Sequence, residues 1–414
     1  MTRRQRTALH VAGAFVVALA LRALLAAWLD PSPSWDGVIY ERAARMLAAG
    51  DGYTVRMYAP SWRWALPTAF YPPGWPAVLG AWKALGLGDL ALQSLLGALA
   101  VPLAAALGAR ARGHAGARTA GWVVALWPGG ILGAASWMSE PLFTVTLAGG
   151  LLALSAPRST AARALGLVLL GLAAYVRPTA LPIAGLALAV LLWPRTPRDP
   201  RTIGRSLLAL AAALAVIGAT LAPWLARNAD AVGEPVLTTN AGANLHVGAL
   251  SARFVPIPDA VDCPPGIREL ARQRCHTGRA LAVVRADPLA WSLRGAQKIF
   301  HTFGYEASPA LQLAAGLDRS PRAPAFLALA GLSTVYWLGL VALAVHGARR
   351  SRRRVVLVVA AAALALALTH FVFVGGDRYH LPLVPLLAAL AAGGLSSLAA
   401  SRRGRRSRSR GSSA

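Results

Sequence analysis

Long uninterrupted runs of Ala, Leu and Val alternate along the chain with short clusters of arginine. The hydrocarbon core of a bilayer is roughly 30 Å thick, and a helix of about 20 apolar residues crosses it. Such runs predict about ten membrane-spanning helices, at 8–29, 89–108, 119–137, 140–157, 163–178, 179–194, 206–225, 322–346, 355–374 and 380–400. Arg177-Pro178 separates the fifth helix from the sixth, because the residue before a proline avoids the helical conformation. We therefore expect an all-α polytopic membrane protein.

The arginine clusters predict the orientation of these helices, since basic residues in short loops are retained on the cytoplasmic side. With a cytoplasmic N-terminus, 23 basic residues and a single acidic residue, Asp199, fall on that side. The basic residues lie in the segments 3–6, 110–118, 158–163, 195–205, 349–354 and 402–410. Every short loop fits this orientation, so we expect both termini in the cytoplasm and the protein in the plasma (inner) membrane.

The first apolar run has basic residues ahead of it, as a signal peptide does. It is long, however, contains Arg22, and ends at Asp30-Pro31 without a small-x-small cleavage site. We therefore interpret it as a membrane helix. Arg22 lies about two turns from the outer end, where an arginine extends toward the lipid headgroups; contact with a lipid phosphate is the alternative.

Two segments on the predicted external side, 30–88 and 226–321, are too long to be turns. Residues 37–49 place apolar side chains on one helical face, and residues 74–86 form an apolar stretch too short to span a bilayer. Both predict amphipathic helices that lie along the membrane surface.

Residues 288–304 contain Arg294, Lys298 and His301, which argues against an eleventh span. Residues 1–400 are therefore expected to form a single membrane-embedded domain. The Arg/Ser/Gly-rich residues 401–414 predict a disordered cytoplasmic tail, which anionic lipid headgroups would attract.

The composition argues against a soluble protein. Of the 414 residues, 56% are apolar and 14% are charged, and the mean hydropathy is +0.51. A soluble chain this apolar would need one very large core, whereas chains of this length usually divide into domains. The formal net charge of +26 sits in short clusters between apolar runs, so membrane lipids rather than nucleic acid are its expected partners.

Cys263 and Cys275 are the only two cysteines, and both fall in the second external segment. A spacing of twelve residues in a non-cytoplasmic loop favours a disulfide. Metal binding together with His276 is the alternative, although a second Cys or His at the usual ligand spacing is missing.

Polar residues concentrate just outside the predicted spans, on the external face. These clusters occupy 34–40, 50–53, 71–76, 139–141, 177–179, 223–228, 240–246 and 377–380. A sequestered carboxylate near the membrane could act as a general base, and arginines could hold an anionic leaving group through their planar forks. The pattern therefore predicts a reaction on the external face.

The clusters also form an ordered set of motifs. These are D-x3-Y-x6-L-x2-G-x-G-[YF] from Asp36 to Tyr53, Y-P-P-G-[YW]-P at 71–76, S-E-P-L-F at 139–143, R-P-T at 177–179, P-W-x2-R-N at 223–228, a partial T-x-N-x-G-x-N-L at 239–245 and R-Y-x2-P at 378–382. In this order, the set resembles the GT-C superfamily of membrane glycosyltransferases. The branch it resembles contains the protein O-mannosyltransferases and the aminoarabinose lipid A transferases, and the resemblance covers most of the chain.

The resemblance implies an inverting transfer of a hexose or pentose from a polyprenyl-phosphate donor, in which Asp36 deprotonates the acceptor hydroxyl. The acceptor would be an envelope glycan, lipid or protein. N-capping of the following helix is the alternative role for Asp36. The sequence agrees with a lipid-linked donor, because an enzyme that uses nucleotide sugars in the cytoplasm would normally need acidic metal ligands there, and only Asp199 is available.

Other candidates follow from the same clusters. Glu140 is a second catalytic acid or an acid that favours the dipole at a helix start. The predicted substrate-binding residues are Arg177, Arg227 and Arg378 on the donor phosphate, with headgroup anchoring as the alternative. Tyr40, Asn244 and His246 are predicted to shape the sugar pocket, and Tyr379 is a further substrate-binding candidate. No cofactor is required by the sequence; a divalent metal is left open, with Glu140 and His246 as candidate ligands.

Two other classes compete with a glycosyltransferase. A secondary transporter or lipid flippase usually places charges near the membrane midplane and has paired interrupted helices, whereas these spans are nearly free of charge. A ligase or polymerase of diphosphate-linked O-antigen also uses external arginines, but the Asp36 segment and residues 71–76 do not suggest one.

Overall fold

The computed structural model describes residues 1–55, 66–156, 159–193, 200–254, 263 and 268–395. Its helices are α1 (Arg3–Leu29), α2 (Asp36–Ala48), α3 (Gly74–Ala84), α4 (Asp89–Ala125), α5 (Pro128–Gly133), α6 (Glu140–Leu154), α7 (Thr160–Val176), α8 (Ala180–Leu192), α9 (Pro200–Val232), α10 (Ala241–Leu250), α11 (Glu269–Ala286), α12 (Pro288–Phe303), α13 (Ser308–Gly316), α14 (Pro324–Ala348) and α15 (Arg353–Val372). A 3₁₀ helix at Asp377–Leu383 continues as α16, residues 384–395. The predicted tail, 401–414, lies outside the described residues.

The all-α class is confirmed. In the described ranges, α1, α4, α9, α14 and α15 are long and apolar enough to cross a membrane, while α6, α7 and α8 are apolar but shorter than 18 residues. The ten spans and the cytoplasmic position of the termini remain predictions. One short antiparallel hairpin, β1 (Thr54–Val55) with β2 (Leu66–Pro67), was not predicted; it brings the chain back toward the start of α3.

Helix α4 differs from the prediction of two spans, 89–108 and 119–137, separated by a basic loop. The loop is reduced to a kink at Arg112 and Gly113, whose backbones leave the helical region. Gly113 adopts φ +67°, a left-handed conformation that glycine accepts without steric cost. The two halves of α4 therefore fold back on each other directly at the kink, without a loop between them.

Small side chains allow α1 to pack closely against α4. The buried residues of α1 are Ala14, Ala18, Arg22 and Ala26, one on every turn of the same face. Small residues at four-residue spacing let helix backbones approach each other in a membrane, where dispersion contacts and hydrogen bonds drive association.

Arg22 does not extend to the headgroups, so both interpretations from the sequence were wrong. Its side chain is fully buried and donates hydrogen bonds to the carbonyls of Ala18 (3.0 Å), Val124 (3.2 Å) and Ala125 (3.2 Å). Val124 and Ala125 end α4, where carbonyls lack partners within the helix. The guanidinium therefore caps the C-terminus of α4 from the neighbouring helix.

We expect Arg22→Met to destabilise the fold by about 1–3 kcal/mol, because the carbonyl of Ala125 loses its side-chain donor and the carbonyl of Val124 keeps only backbone N–H donors. Thermal unfolding of the purified protein in detergent would measure this loss. Arg4→Met, at an exposed position of the same helix, is the matched control and should leave the midpoint unchanged. An equal midpoint for both variants would contradict the capping role.

Helices α2 and α3, which the sequence predicts along the membrane surface, pack against each other. Tyr40, Glu41, Ala43 and Ala44 of α2 are buried, and Glu41 forms an ion pair with Lys83 of α3 at 3.3 Å. Glu41 is therefore an inward-facing charge that Lys83 of α3 neutralises.

Candidate active site

A cavity of about 760 Å³ lies among α2, α8, α10, α15 and the 3₁₀ helix. It is lined by six of the nine residues predicted to be catalytic or substrate-binding: Asp36, Tyr40, Arg177, Asn244, Arg378 and Tyr379. These positions are distant in sequence, and the fold brings them together because the loops that follow α1, α7 and α15 all end at the cavity.

Asp36 is the first residue of α2, and its carboxylate is held by two donors. The hydroxyl of Tyr71 donates to Oδ1 at 2.8 Å, and Nη2 of Arg378 lies 2.7 Å from Oδ2. Trp35, not Asp36, occupies the N-cap position, and it makes no side-chain capping bond. The alternative role of Asp36 as an N-cap was therefore wrong, and its carboxylate points to the cavity partners instead.

The backbone before Asp36 is strained. Trp35 adopts φ +53°, which is unusual for a bulky residue, since its Cβ crowds the backbone there. Strain of this kind persists only when the surroundings over-determine it, and it is frequent at active sites. In this protein the strained residue, Trp35, immediately precedes α2, and the Asp36 carboxylate that follows contacts Tyr71 and Arg378.

The pKa of Asp36 lies below its ordinary value despite its burial. Burial alone would raise the pKa, but the positive charge of Arg378, the hydrogen bonds from Tyr71 and Arg378, and the charge of Arg177 outweigh that effect. The same environment acts on Tyr71, whose pKa is raised by burial and by the adjacent carboxylate. At neutral pH the site therefore contains an ionised Asp36 beside a neutral tyrosine.

Arg378 carries an unused donor into this site. Its Nη2 bonds Asp36 and lies 3.4 Å from the hydroxyl of Tyr379, whereas Nη1 is buried and has no hydrogen-bond partner. Since Arg378 lines the cavity, an anion there would satisfy an otherwise costly orphan group. Its neighbour Tyr379 stacks on His370 at 4.2 Å, which fixes the ring at the cavity wall.

Arg177 enters the cavity from the turn between α7 and α8, as the Arg-Pro break predicted. Its Nη2 pairs with Oε1 of Glu140 at 2.7 Å, and its Nε donates to Oγ of Ser139 at 3.0 Å. Glu140 itself is buried and is not among the residues that line the cavity. In the structure Glu140 therefore orients Arg177, and its role as a catalytic acid stays a prediction.

The segments that carry Asp36 and Arg378 are both fastened to α13. Asp377 accepts hydrogen bonds from the backbone N–H of Ser308 (2.6 Å) and of Ala307, and so binds the positive end of that helix. At the other end, the backbone N–H of Ser32 donates to the carbonyl of Gly316 at 2.8 Å. We call these contacts the α13 anchor.

Two predicted substrate-binding residues lie outside the cavity lining. Arg227 donates to the carbonyls of Tyr53 (2.8 Å) and Thr68 (2.7 Å), and so ties α9 to both ends of the hairpin segment. His246 is buried, and its Nδ1 lies 3.1 Å from Nδ1 of His276, which does line the cavity. Both residues therefore support the walls and do not face the open space.

Sequence reasoning missed Tyr71 as a functional residue. It was recognised only as part of the 71–76 motif, yet it donates to the Asp36 carboxylate, and its ring lies 4.9 Å from that of Tyr40. Gly74, in the same motif, allows the start of α3 to lie directly against α7. A Cβ at this position would lie 2.7 Å from the carbonyl oxygen of Tyr175. The close approach of α3 to α7 thus holds Tyr71 beside Asp36.

Part of the cavity wall is apolar. It is formed by Pro182 and Leu186 of α8, and by Ala365, Leu368 and Phe373 in and after α15. A single cavity therefore joins an anion-binding end to a surface between two apolar helices, which suits an amphiphilic ligand with a charged head.

Among the described side chains, the two candidate metal ligands, Glu140 and His246, do not come together with other ligands in a metal-binding cluster. Within the part of the chain that the structure describes, no cluster of three His, Cys, Asp or Glu side chains is present. Glu140 is paired with Arg177 and His246 with His276, so the two candidate ligands are engaged elsewhere. We therefore derive no step through a metal.

The sulfur atoms of Cys263 and Cys275 are joined in a disulfide. It fastens the segment before α11 to the second turn of that helix, the same helix that carries the cavity residues Arg272 and His276.

The sequence matches no protein-family model and no curated protein. Solved structures do share its fold. The oligosaccharyltransferase of Archaeoglobus fulgidus aligns with a TM-score of 0.51 and 14% identity over 97% of this chain and 51% of that chain. The oligosaccharyltransferase AglB of the same organism, in complex with an inhibitory peptide and a dolichol-phosphate, aligns with a TM-score of 0.52 and 15% identity over 98% and 51%. The chain thus spans about half the length of these proteins.

ArnT from Cupriavidus metallidurans, bound to undecaprenyl phosphate, aligns with a TM-score of 0.43 and 19% identity over 93% of this chain and 77% of that chain. The present chain therefore shares its fold with the oligosaccharyltransferases of Archaeoglobus fulgidus, in agreement with the fold that the ordered motifs imply.

Proposed function

We propose that the protein is an inverting glycosyltransferase that moves a sugar from a polyprenyl-phosphate donor to an acceptor hydroxyl on the external face of the membrane. The observation that carries this proposal is the cavity itself. It joins the ionised Asp36, the orphan Nη1 of Arg378 and an apolar wall between α8 and α15. The fold shared with AglB, whose structure contains a dolichol-phosphate, supports the same donor class.

We propose a role for each charged group of the cavity. The acceptor oxygen attacks the anomeric carbon and loses its proton to Asp36, while the bond between that carbon and the phosphate oxygen breaks. The leaving phosphate gains negative charge, which Arg378 and Arg177 would stabilise by charge-assisted hydrogen bonds. The prenyl chain would lie along the apolar wall, where each buried CH₂ is worth about 0.8 kcal/mol.

The proposal is tested with the full chain in proteoliposomes that contain a polyprenyl-phosphate carrying a radiolabelled sugar. We expect release of free polyprenyl phosphate and a covalent product on extracted envelope acceptors. Movement of the intact lipid-linked sugar between leaflets, without such a product, would establish a flippase instead. Use of a diphosphate-linked oligosaccharide alone would favour a ligase or polymerase.

The pH dependence follows from the lowered pKa of Asp36. Because the group stays ionised below its ordinary range, we expect transfer to be lost only at a pH below about 4. Tyr71→Phe removes one hydrogen bond to the carboxylate, raises its pKa, and should therefore shift the acid limb of the rate profile to higher pH. Tyr305→Phe, outside the cavity lining, is the control. An acid limb that is unchanged in Tyr71→Phe would remove Asp36 as the titrating base.

A further inference from the structure

Helix α12 has an apolar stripe that the rest of the described chain leaves uncovered. Leu289, Leu293 and Phe300 are 71%, 59% and 63% exposed, and Ala296 lies exposed between them. The spacing of these residues places them on one face of the helix. The opposite face is buried through Gly295, Lys298 and Thr302. Such a helix lies in the plane of a membrane interface with its apolar stripe in the lipid.

A basic groove runs beside this stripe. It is lined by Arg294, Gln297, Phe300 and His301 of α12, by Leu250 at the end of α10, and by residues 251–253 that follow it. It contains two arginines and a histidine, and none of its lining residues is acidic. The groove therefore carries positive charge directly next to exposed apolar side chains.

Arg294 gives the groove a binding group. Its Nε is buried and has no hydrogen-bond partner, which is costly unless a ligand supplies an acceptor. Arg253, across the groove, is exposed, and its charge lowers the pKa of His301 in addition to the effect of burial, whereas Asp377 raises it. His301 also lies 3.1 Å from the hydroxyl of Tyr305. Both arginines and His301 therefore line the same groove.

We propose that this groove binds the phosphate headgroup of an anionic phospholipid, whose acyl chains lie along the Leu289–Phe300 stripe. Arginine forks recognise phosphate oxygens, and the stripe supplies the apolar contact that a soluble anion would not use. Phe254, which lines the large cavity, directly follows Arg253, so the bound lipid would stand at the edge of the cavity. This site does not depend on the proposed sugar transfer.

The test is native mass spectrometry of the full chain exchanged into micelles that contain phosphatidylglycerol or phosphatidylcholine. We expect the wild type to retain phosphatidylglycerol in preference. Each neutralised arginine should weaken that retention about fivefold, the equivalent of about 1 kcal/mol per basic residue at a membrane surface. Arg253→Gln/Arg294→Gln should therefore lose the preference, whereas Arg279→Gln/Arg319→Gln, at exposed positions outside the groove, should keep it.

Two further arms keep the proposal falsifiable. Gln297→Glu places a negative charge in the groove at an exposed position and should also reduce retention, even if the double variant fails to fold. Glycerol phosphate, the headgroup without chains, should not compete at concentrations at which the lipid binds. Unchanged retention in the folded groove variants would overturn the site, and competition by glycerol phosphate would make it a site for soluble anions.

Discussion

Asp36→Asn is expected to reduce sugar transfer by about 10²- to 10⁴-fold, the range that a general base contributes. The asparagine retains a carbonyl oxygen for the hydroxyl of Tyr71 but cannot take a proton from the acceptor. The measurement is initial transfer from a polyprenyl-phosphate sugar in membrane vesicles, normalised to the amount of folded protein.

Asp51→Asn is the matched control for this variant. Asp51 lies between α1 and α3 like Asp36, just after α2, but it is exposed and is not part of the cavity lining. It should keep wild-type activity. If Asp36→Asn transferred sugar as fast as Asp51→Asn, the proposed base would be wrong, whereas the fold would stand.

Arg378→Gln is expected to cost about 10²- to 10³-fold in transfer, as loss of one charge-stabilising donor does in other active sites. The variant loses both the ion pair to Asp36 and the buried Nη1 donor, which has no partner within the protein. Arg378→Lys restores the charge but not the planar fork, so we expect an intermediate rate.

Steady-state kinetics with varied donor concentration would measure both variants, with Arg42→Gln at an exposed position of α2 as the control. Because phosphate charge grows as the donor departs, the loss should appear in kcat as well as in KM. A rise in KM with kcat unchanged would mean that Arg378 only anchors the donor and does not stabilise the leaving group.

Much of the site could be predicted because its residues stand in local motifs at the ends of apolar runs. Asp36, Arg177 and Arg378 each follow a helix that hydropathy alone locates, and the structure places all three at one cavity. Tyr71 could not be assigned in this way, since its role depends on the close approach of α3 to α7. A contact between elements so far apart leaves no periodic signal in a single sequence.

Other differences arise because composition does not reveal which partner a polar group finds. Arg22 and Arg227 have the residue type and position of headgroup or phosphate ligands, yet their donors bind backbone carbonyls within the protein. Glu41 is part of an amphipathic pattern but is buried against Lys83. The hairpin of β1 and β2 is too short to produce an alternating pattern.

The α13 anchor has a consequence for how the site would respond to its substrates. Since one nine-residue helix holds the segments of both Asp36 and Arg378, their spacing is set before any ligand arrives. Binding then would not have to pay the entropy of ordering two separate loops. A displacement of Asp36 or Arg378 alone would break contacts with α13, so the two residues would move together with that helix.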